Sequence, residues 1–365
     1  MTIPVNRPYQ PPFAQYQQYL QQAFDRNWLT NNGPLCQLLK VRLEEYLGVK
    51  NLLLVANGTL AMQLAYRALD VKGQAITTPF TFIASSSSLL WEGITPRFAD
   101  IDAQSFNLSP AATAAMLSSD LSAEVSAIVP VHVYGNPCDV HAFEQIGAKH
   151  QLKVIYDAAH AFGIQLAGRS VLSFGDAATL SFHATKVFHT VEGGAVIFRD
   201  ADAYQRAERM INFGIDNKDG TISGPGINCK MSEVHAAMGL AVLDNIDQIL
   251  EKRQQNYQQY LRLLSPYLQT PLWAENASSN GAYFPILCPT AAAASKVMQH
   301  LAAHQVTARR YFAPSINTLA TYQTLGYQSC PVSEDYANRT LCLPLYYDLT
   351  ETEINFVAKL VLECL

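Results

Sequence analysis

Over its first two thirds the chain repeats one alternation, and that alternation limits its fold more than any other feature. Short runs, most of them apolar throughout, fall at residues 52–56, 75–77, 96–100, 127–131, 153–157, 178–182 and 194–198. Strands that face water on one side alternate apolar and polar residues, whereas strands covered on both faces do not. Between several of these runs lie helix-like stretches at 59–69, 84–91, 142–150 and 203–210. Strands alternating with helices predict an α/β unit built on a mainly parallel sheet.

The remaining third reads differently. Ser232 can cap a long helix that begins at Glu233, stays rich in Ala, Leu and Ile through Leu250 and continues toward Leu264. A helix of that length would bridge two units. Beyond it, residues 282–287, 295–304 and 353–362 suggest a smaller α+β unit. The expected division is therefore a large domain at 1–245 and a small C-terminal domain at 246–365.

Composition narrows the function classes. The 365 residues are 49% hydrophobic and 15% charged, which supplies a large core and excludes a disordered chain. Apolar surplus of this kind also suits a subunit interface. The net charge of −5 offers no basic footprint for nucleic acid. Seven cysteines are scattered at 36, 138, 229, 288, 330, 342 and 364 without a C-x-x-C pair, so free buried thiols in a reducing compartment are expected. The first residues lack the pattern of a secretory signal, and the uncharged stretch near 73–91 holds Pro79 and the serines 85–88, unlike a membrane span. The expectation is a soluble cytoplasmic protein. Its nine histidines do not pair at metal spacing, and it has neither a P-loop nor a G-x-G-x-x-G after a strand.

Three segments can carry chemistry. Ala56-Asn57-Gly58-Thr59-Leu60 follows a strand and opens a helix, where unpaired amides attract an anion. Thr59 acting as a plain helix cap explains the same residues. Asp157 ends the strand 153–157, at the edge where α/β folds place ligands, with His160 just beyond. It can pair with a protonated ring nitrogen or merely cap a helix after the strand. Lys186 lies four residues past the strand ending at Phe182 and precedes the Gly193-Gly194 turn. A lysine in a buried site loses its proton readily and can bond a carbonyl carbon; a solvated lysine would do nothing. Together, an amide cradle, a carboxylate and a lysine in this order meet the needs of pyridoxal phosphate for phosphate, ring nitrogen and aldehyde.

With those motifs in hand, the chain resembles the DegT/StrS sugar-nucleotide aminotransferases, which have the aspartate aminotransferase fold (fold type I). The likeness runs from Trp28-Leu29-Thr30-Asn31-Asn32-Gly33-Pro34 through Asn57-Gly58-Thr59, Thr78-Pro79-Phe80-Thr81-Phe82 and Val131-His132-Val133-Tyr134-Gly135. It continues through Asp157-Ala158-Ala159-His160, Ser181 to Lys186 and Gly226-Ile227-Asn228, ending near Leu343-Pro344-Leu345-Tyr346.

The resemblance implies pyridoxal 5′-phosphate as cofactor, with pyridoxamine 5′-phosphate as its aminated form. Lys186 would bond to the aldehyde and carry the catalytic proton. Asp157 would pair with the ring nitrogen, and Phe82 and His160 would flank the ring. Gly58, Thr59, Leu60 and Ser181 would hold the phosphate, joined by Asn228 from a second subunit, so the active unit would be a homodimer with a shared site. Asn31, His183 and Tyr311 are candidates for substrate contact, and Arg309 and Arg310 for a diphosphate. Some relatives have His in place of the lysine and act as dehydratases; retention of Lys186 favours transamination. Within the family the chain looks most like the VioA type, which uses glutamate to convert dTDP-4-keto-6-deoxyglucose to dTDP-4-amino-4,6-dideoxyglucose. Deoxyaminosugars of that kind feed O-antigen and lipopolysaccharide synthesis. Amination at C3 of a 3-keto sugar, and a non-catalytic regulatory homologue, stand as alternatives.

Overall fold

A computed structural model describes residues 2–30, 32–118, 124–216 and 219–365. Its main sheet has seven strands: β1 Leu52–Val55, β2 Gln74–Thr77, β3 Thr95–Phe98, β4 Val125–Val129, β5 Lys153–Asp157, β8 Ala177–Ser181 and β9 Gly194–Phe198. A small hairpin, β6 Gln165–Leu166 with β7 Arg169–Ser170, lies outside it. The order across the sheet is β1-β9-β8-β5-β4-β2-β3. Strand β9 is antiparallel to both neighbours, and every other pair is parallel. The sheet is thus mixed. The carboxyl ends of β1, β2, β4, β5 and β8 share one edge with the amino end of β9.

The strands are apolar throughout because both faces are covered. Val154 and Tyr156 of β5 pack into one core cluster, with Leu39, Leu43, Phe182 and Leu240. Ile155, between them, faces the opposite cluster, with Ala61, Leu64 and Val129. Successive strand residues point to opposite faces, so one strand feeds both layers.

The expected long bridging helix is two helices, Glu233–Leu243 and Ile246–Leu264. Ser232 does cap the first, accepting from the His235 amide at 3.3 Å. The break comes at Asp244 and Asn245. The Asn245 amide group donates to the carbonyl of Ala241 and to Gln15, each at 2.9 Å. Asp244 is drawn outward by Arg42 at 2.7 Å. Short polar side chains that satisfy local backbone groups compete with helix in this way.

After the second helix, β10 Phe284–Leu287 and β11 Thr340–Leu343 pair antiparallel. They share a core with Tyr257, Tyr260, Val297, Leu301, Val357 and Val361. Ile3, from the other end of the chain, packs in this same cluster.

Residues 3–9 form a strap between the two parts. Ile3 bridges Val306, and the Leu345 amide donates to the Val5 carbonyl at 3.1 Å. The Asn6 side chain donates to the Thr185 carbonyl at 2.7 Å, and Arg7 pairs with Asp348 at 3.0 Å. His189, buried, meets the Tyr9 carbonyl with Nε2 at 2.7 Å, while its Nδ1 accepts from the Val191 amide at 3.3 Å. That pairing fixes the neutral tautomer with the proton on Nε2.

At the sheet edge, Gly194 packs against the start of the helix Gly58–Ala68. A Cβ there would lie 2.6 Å from the Asn57 carbonyl carbon and 2.7 Å from the Gly58 nitrogen. Both are backbone atoms and cannot swing aside. Gly194→Ala is expected to destabilise the chain by about 1–3 kcal/mol, read as a lower midpoint in denaturant unfolding; an unchanged midpoint would refute the close packing.

Candidate active site

Strand β5 carries Asp157 to the carboxyl edge of the sheet, where it is buried. Burial pushes its carboxyl above the usual range. Three features oppose that push. Ser85 Oγ donates to Oδ2 at 2.7 Å, the Ala159 amide donates to Oδ1 at 3.1 Å, and the charge of Lys186 adds attraction. Each oxygen accepts one hydrogen bond from these donors, which leaves capacity for a further donor. Ser85 lies in the first turn of the helix Ala84–Trp91 and is itself bonded to Thr81 Oγ1 at 3.0 Å. The serine run read from sequence only as helix thus supplies a partner of Asp157. No local signal singles out Ser85 from the three serines that follow it.

Lys186 is partly buried, and burial lowers its pKa from the ordinary lysine value, against the pull of Asp157 and Tyr311. Its Nζ donates to the Tyr283 hydroxyl at 3.4 Å. Lys186, His160, Ala159, Thr185 and Tyr283 line one cavity. His160 is buried and kept neutral, chiefly by burial and also by the charge of Lys186. Its Nδ1 accepts from the Tyr134 amide at 3.2 Å, so its proton lies on Nε2. The ring lies parallel to Phe312 at 5.8 Å between centroids and edge-on to Tyr283 at 4.8 Å.

The helix Gly58–Ala68 begins at the end of β1. Its cap is Asn57, not Thr59: Asn57 Oδ1 accepts from the Leu60 amide at 2.9 Å. The Leu60 amide, expected at the phosphate, has this partner. The Gly58 and Thr59 amides remain at the open end of the helix. Ser181, last residue of β8, sits against them, since a Cβ on Gly58 would lie 2.9 Å from Ser181 Cβ and 3.3 Å from its hydroxyl. Gly58, Thr59 and Ser181 are therefore brought together.

Other candidates stand further out. Phe82 is 59% exposed. Asn228 is exposed on the loop whose Cys229 carbonyl accepts from the Ala56 amide at 2.8 Å, beside the Asn57–Gly58 turn. His183 is exposed and bound by its own loop, with Nδ1 2.8 Å from Thr185 Oγ1 and Nε2 3.7 Å from Glu192. Tyr311 packs edge-on to Tyr283 at 5.5 Å, and its hydroxyl accepts from Arg309 at 3.5 Å. Arg310 turns to Ser295 at 2.7 Å. Asn31 lies outside the described residues. Among the described residues no group of three or more His, Cys, Asp or Glu could hold a metal ion, and no helix is long and apolar enough to cross a membrane.

Tyr283 and Asn280 were not singled out by sequence. Asn280 is buried, donates to the carbonyls of His160 and Phe162 at 2.8 and 3.0 Å, and accepts from the Ala282 amide. It ties the segment before β10 to the loop after Asp157.

The DegT/DnrJ/EryC1/StrS aminotransferase family matches residues 13–362. The chain belongs to this family. A dTDP-4-amino-4,6-dideoxy-D-glucose transaminase of Escherichia coli is 38% identical over 99% of this chain and 98% of its own. A protein of the same description from Shigella dysenteriae is 39% identical, covering 98% of each chain. The structure of DesI, determined in the presence of its TDP-sugar product, superposes with a TM-score of 0.93 at 34% identity, over 100% of this chain and 93% of that one. The family implies pyridoxal phosphate as cofactor, and the fold is that of its aminotransferases.

The hydrogen bond from Ser85 favours the charged form of Asp157. Removing it raises the Asp157 pKa, so the carboxylate is lost at a higher pH on acidification. For Ser85→Ala the acid limb of the pH profile of kcat is expected to move up by about 1 unit. A profile that stays in place would refute the role of Ser85.

Proposed function

We propose that the chain is a pyridoxal phosphate-dependent transaminase that converts dTDP-4-keto-6-deoxyglucose to dTDP-4-amino-4,6-dideoxyglucose with glutamate as amino donor. The observation that carries the chemistry is the placement of the buried Asp157 carboxylate and the cavity-lining Lys186 amine at one sheet edge, where burial lifts the acid and lowers the base. The substrate rests on the two relatives and on DesI, all matched over nearly the whole chain.

The residues present fit the cofactor. Gly58 and Thr59 offer free helix amides and Ser181 a hydroxyl, a cradle that a Cβ on Gly58 would crowd. Asp157 keeps acceptor capacity for a ring N–H. When bound, the cofactor supplies an electron sink and a carbon that carries the amino group between donor and acceptor.

The protein does the rest. Asp157 would hold a proton on the ring nitrogen, and the hydrogen bonds from Ser85 and Ala159 favour its anionic form against burial. Lys186, brought toward neutrality by burial, can take up and return a proton at Nζ. His160 is the packing partner proposed for one ring face and Phe82 for the other.

Residues 1–245 are read as the cofactor-binding unit and 246–365 as the smaller unit. The helix break at 244–245 and the separate core clusters support that division. Asn228 is assigned to the phosphate of a partner subunit in a homodimer. Phe213, Ile222, Ile227 and Trp91, exposed around the Asn228 loop, support a covered surface there. All seven cysteines are free and buried, which supports a reducing, cytoplasmic location. The product would serve deoxyaminosugar, O-antigen or lipopolysaccharide synthesis.

Chain incubated with pyridoxal phosphate is expected to show a visible absorption band that Lys186→Ala abolishes. Wild-type chain with glutamate and dTDP-4-keto-6-deoxyglucose should give a product whose new amine NMR locates at C4. Amination at C3 alone would refute the substrate assignment. Mixing inactive Lys186→Ala and Asn228→Ala chains should restore part of the activity through mixed dimers, and no recovery would count against the shared site.

A further inference from the structure

The Lys186 amine has one hydrogen-bonding side-chain partner among the described residues, the hydroxyl of Tyr283. That phenol is set with care. Asn280 anchors the preceding segment to the His160 loop, and the buried Arg253 donates to the carbonyls of Gly281, Ala282 and Leu345 at 3.0, 3.0 and 3.1 Å. The Tyr283 ring is wedged among His160, Tyr134 and Tyr311. Tyr283 lines both the Lys186 cavity and a second one bounded by Val5, Asn6 and Leu343.

We propose that Tyr283 is a further catalytic residue, whose phenol holds the Lys186 amine in both of its protonation states while that amine is free of the cofactor. The proposal rests on the transaminase reading given above. A lysine that moves protons must be held both as ammonium and as neutral amine. A phenol can do both: its oxygen accepts from an ammonium N–H, and its O–H donates to the lone pair of the neutral amine. A carboxylate in this place would favour only the ammonium. No heavy-atom bond changes at Tyr283; the transferred proton rests on Nζ or leaves it for the substrate. Burial drives the phenol pKa far up, so Tyr283 stays neutral throughout. The groups facing Lys186 are then Asp157, His160, Tyr283 and Tyr311, and Asp157 supplies the negative charge among them.

The test is Tyr283→Phe, which keeps the ring and removes the oxygen. Two measurements are made. The first is kcat and KM for the sugar nucleotide. The second is the pH midpoint for reductive methylation of Lys186 in chain stripped of cofactor, read by peptide mass spectrometry. An ammonium bonds a neutral oxygen more strongly than a phenol bonds a neutral amine, so loss of the oxygen favours the neutral amine. The expected result is a midpoint lower by about half a unit and a kcat lower by about tenfold, with KM within about threefold. A midpoint that does not move, or a kcat that does not fall, overturns the proposal. The methylation arm needs no cofactor, so it reports on the Tyr283–Lys186 pair by itself. Failure of the transaminase reading would appear elsewhere, as a wild-type chain with no visible band.

Discussion

A carboxylate buried at the end of a strand is the constraint around which the site is arranged. Removing Asp157 from water costs several kcal/mol unless partners replace the lost hydration. The fold provides them from separate places in the sequence. The helix after β2 brings Ser85, the turn after β5 brings the Ala159 amide, and the loop after β8 brings Lys186. Parallel strands make this possible, since their carboxyl ends and the adjoining turns share one edge. The same burial acts on Lys186 in the opposite sense, favouring its uncharged form. One dry edge therefore lifts the acid and lowers the base together, which suits both to proton handling.

The smaller part of the chain is attached to that edge by polar bonds as well as by packing. Asn280 reaches back to the loop after Asp157, and Arg253 spends its guanidinium on three carbonyls of the 281–282 and 345 segments. Burial lowers the Arg253 pKa to about 10, still well above neutral, so it remains a cation among dipoles. Buried donors of this kind fix direction, because each lost bond would leave a carbonyl without a partner. Tyr283 follows directly from Gly281 and Ala282, so its hydroxyl inherits that precision.

The central sheet was legible because burial on both faces leaves an unbroken apolar run. The strand ends, read at 56, 157 and 182 and found at Val55, Asp157 and Ser181, were legible for the same reason, and with them the placement of Gly58, Asp157 and Lys186 near the sheet edge. The features that escaped were decided by side-chain bonds that leave no period in the sequence. The helix break after Leu243 depends on Asn245 bonding back to Ala241. The cap at Asn57, which occupies the Leu60 amide, could not be told from a cap at Thr59. Ser85 looked like one more serine in a helix, since nothing local marks which of four consecutive serines faces Asp157. Tyr283 lay in a stretch read only as a strand, more than ninety residues from Lys186 in sequence.

The strap of residues 3–9 bears on how the molecule is made. Val5 and Arg7 leave the ribosome some three hundred and forty residues before their partners Leu345 and Asp348. Asn6, between them, bonds to the carbonyl of Thr185, directly before the lysine. During synthesis the sheet and its edge can form well before the strap has anything to close against. The last part of the site to be assembled is thus built partly from residues translated long before their partners. Final closure of the strap is a separate event in time from formation of the sheet edge, and it waits for Leu345 and Asp348.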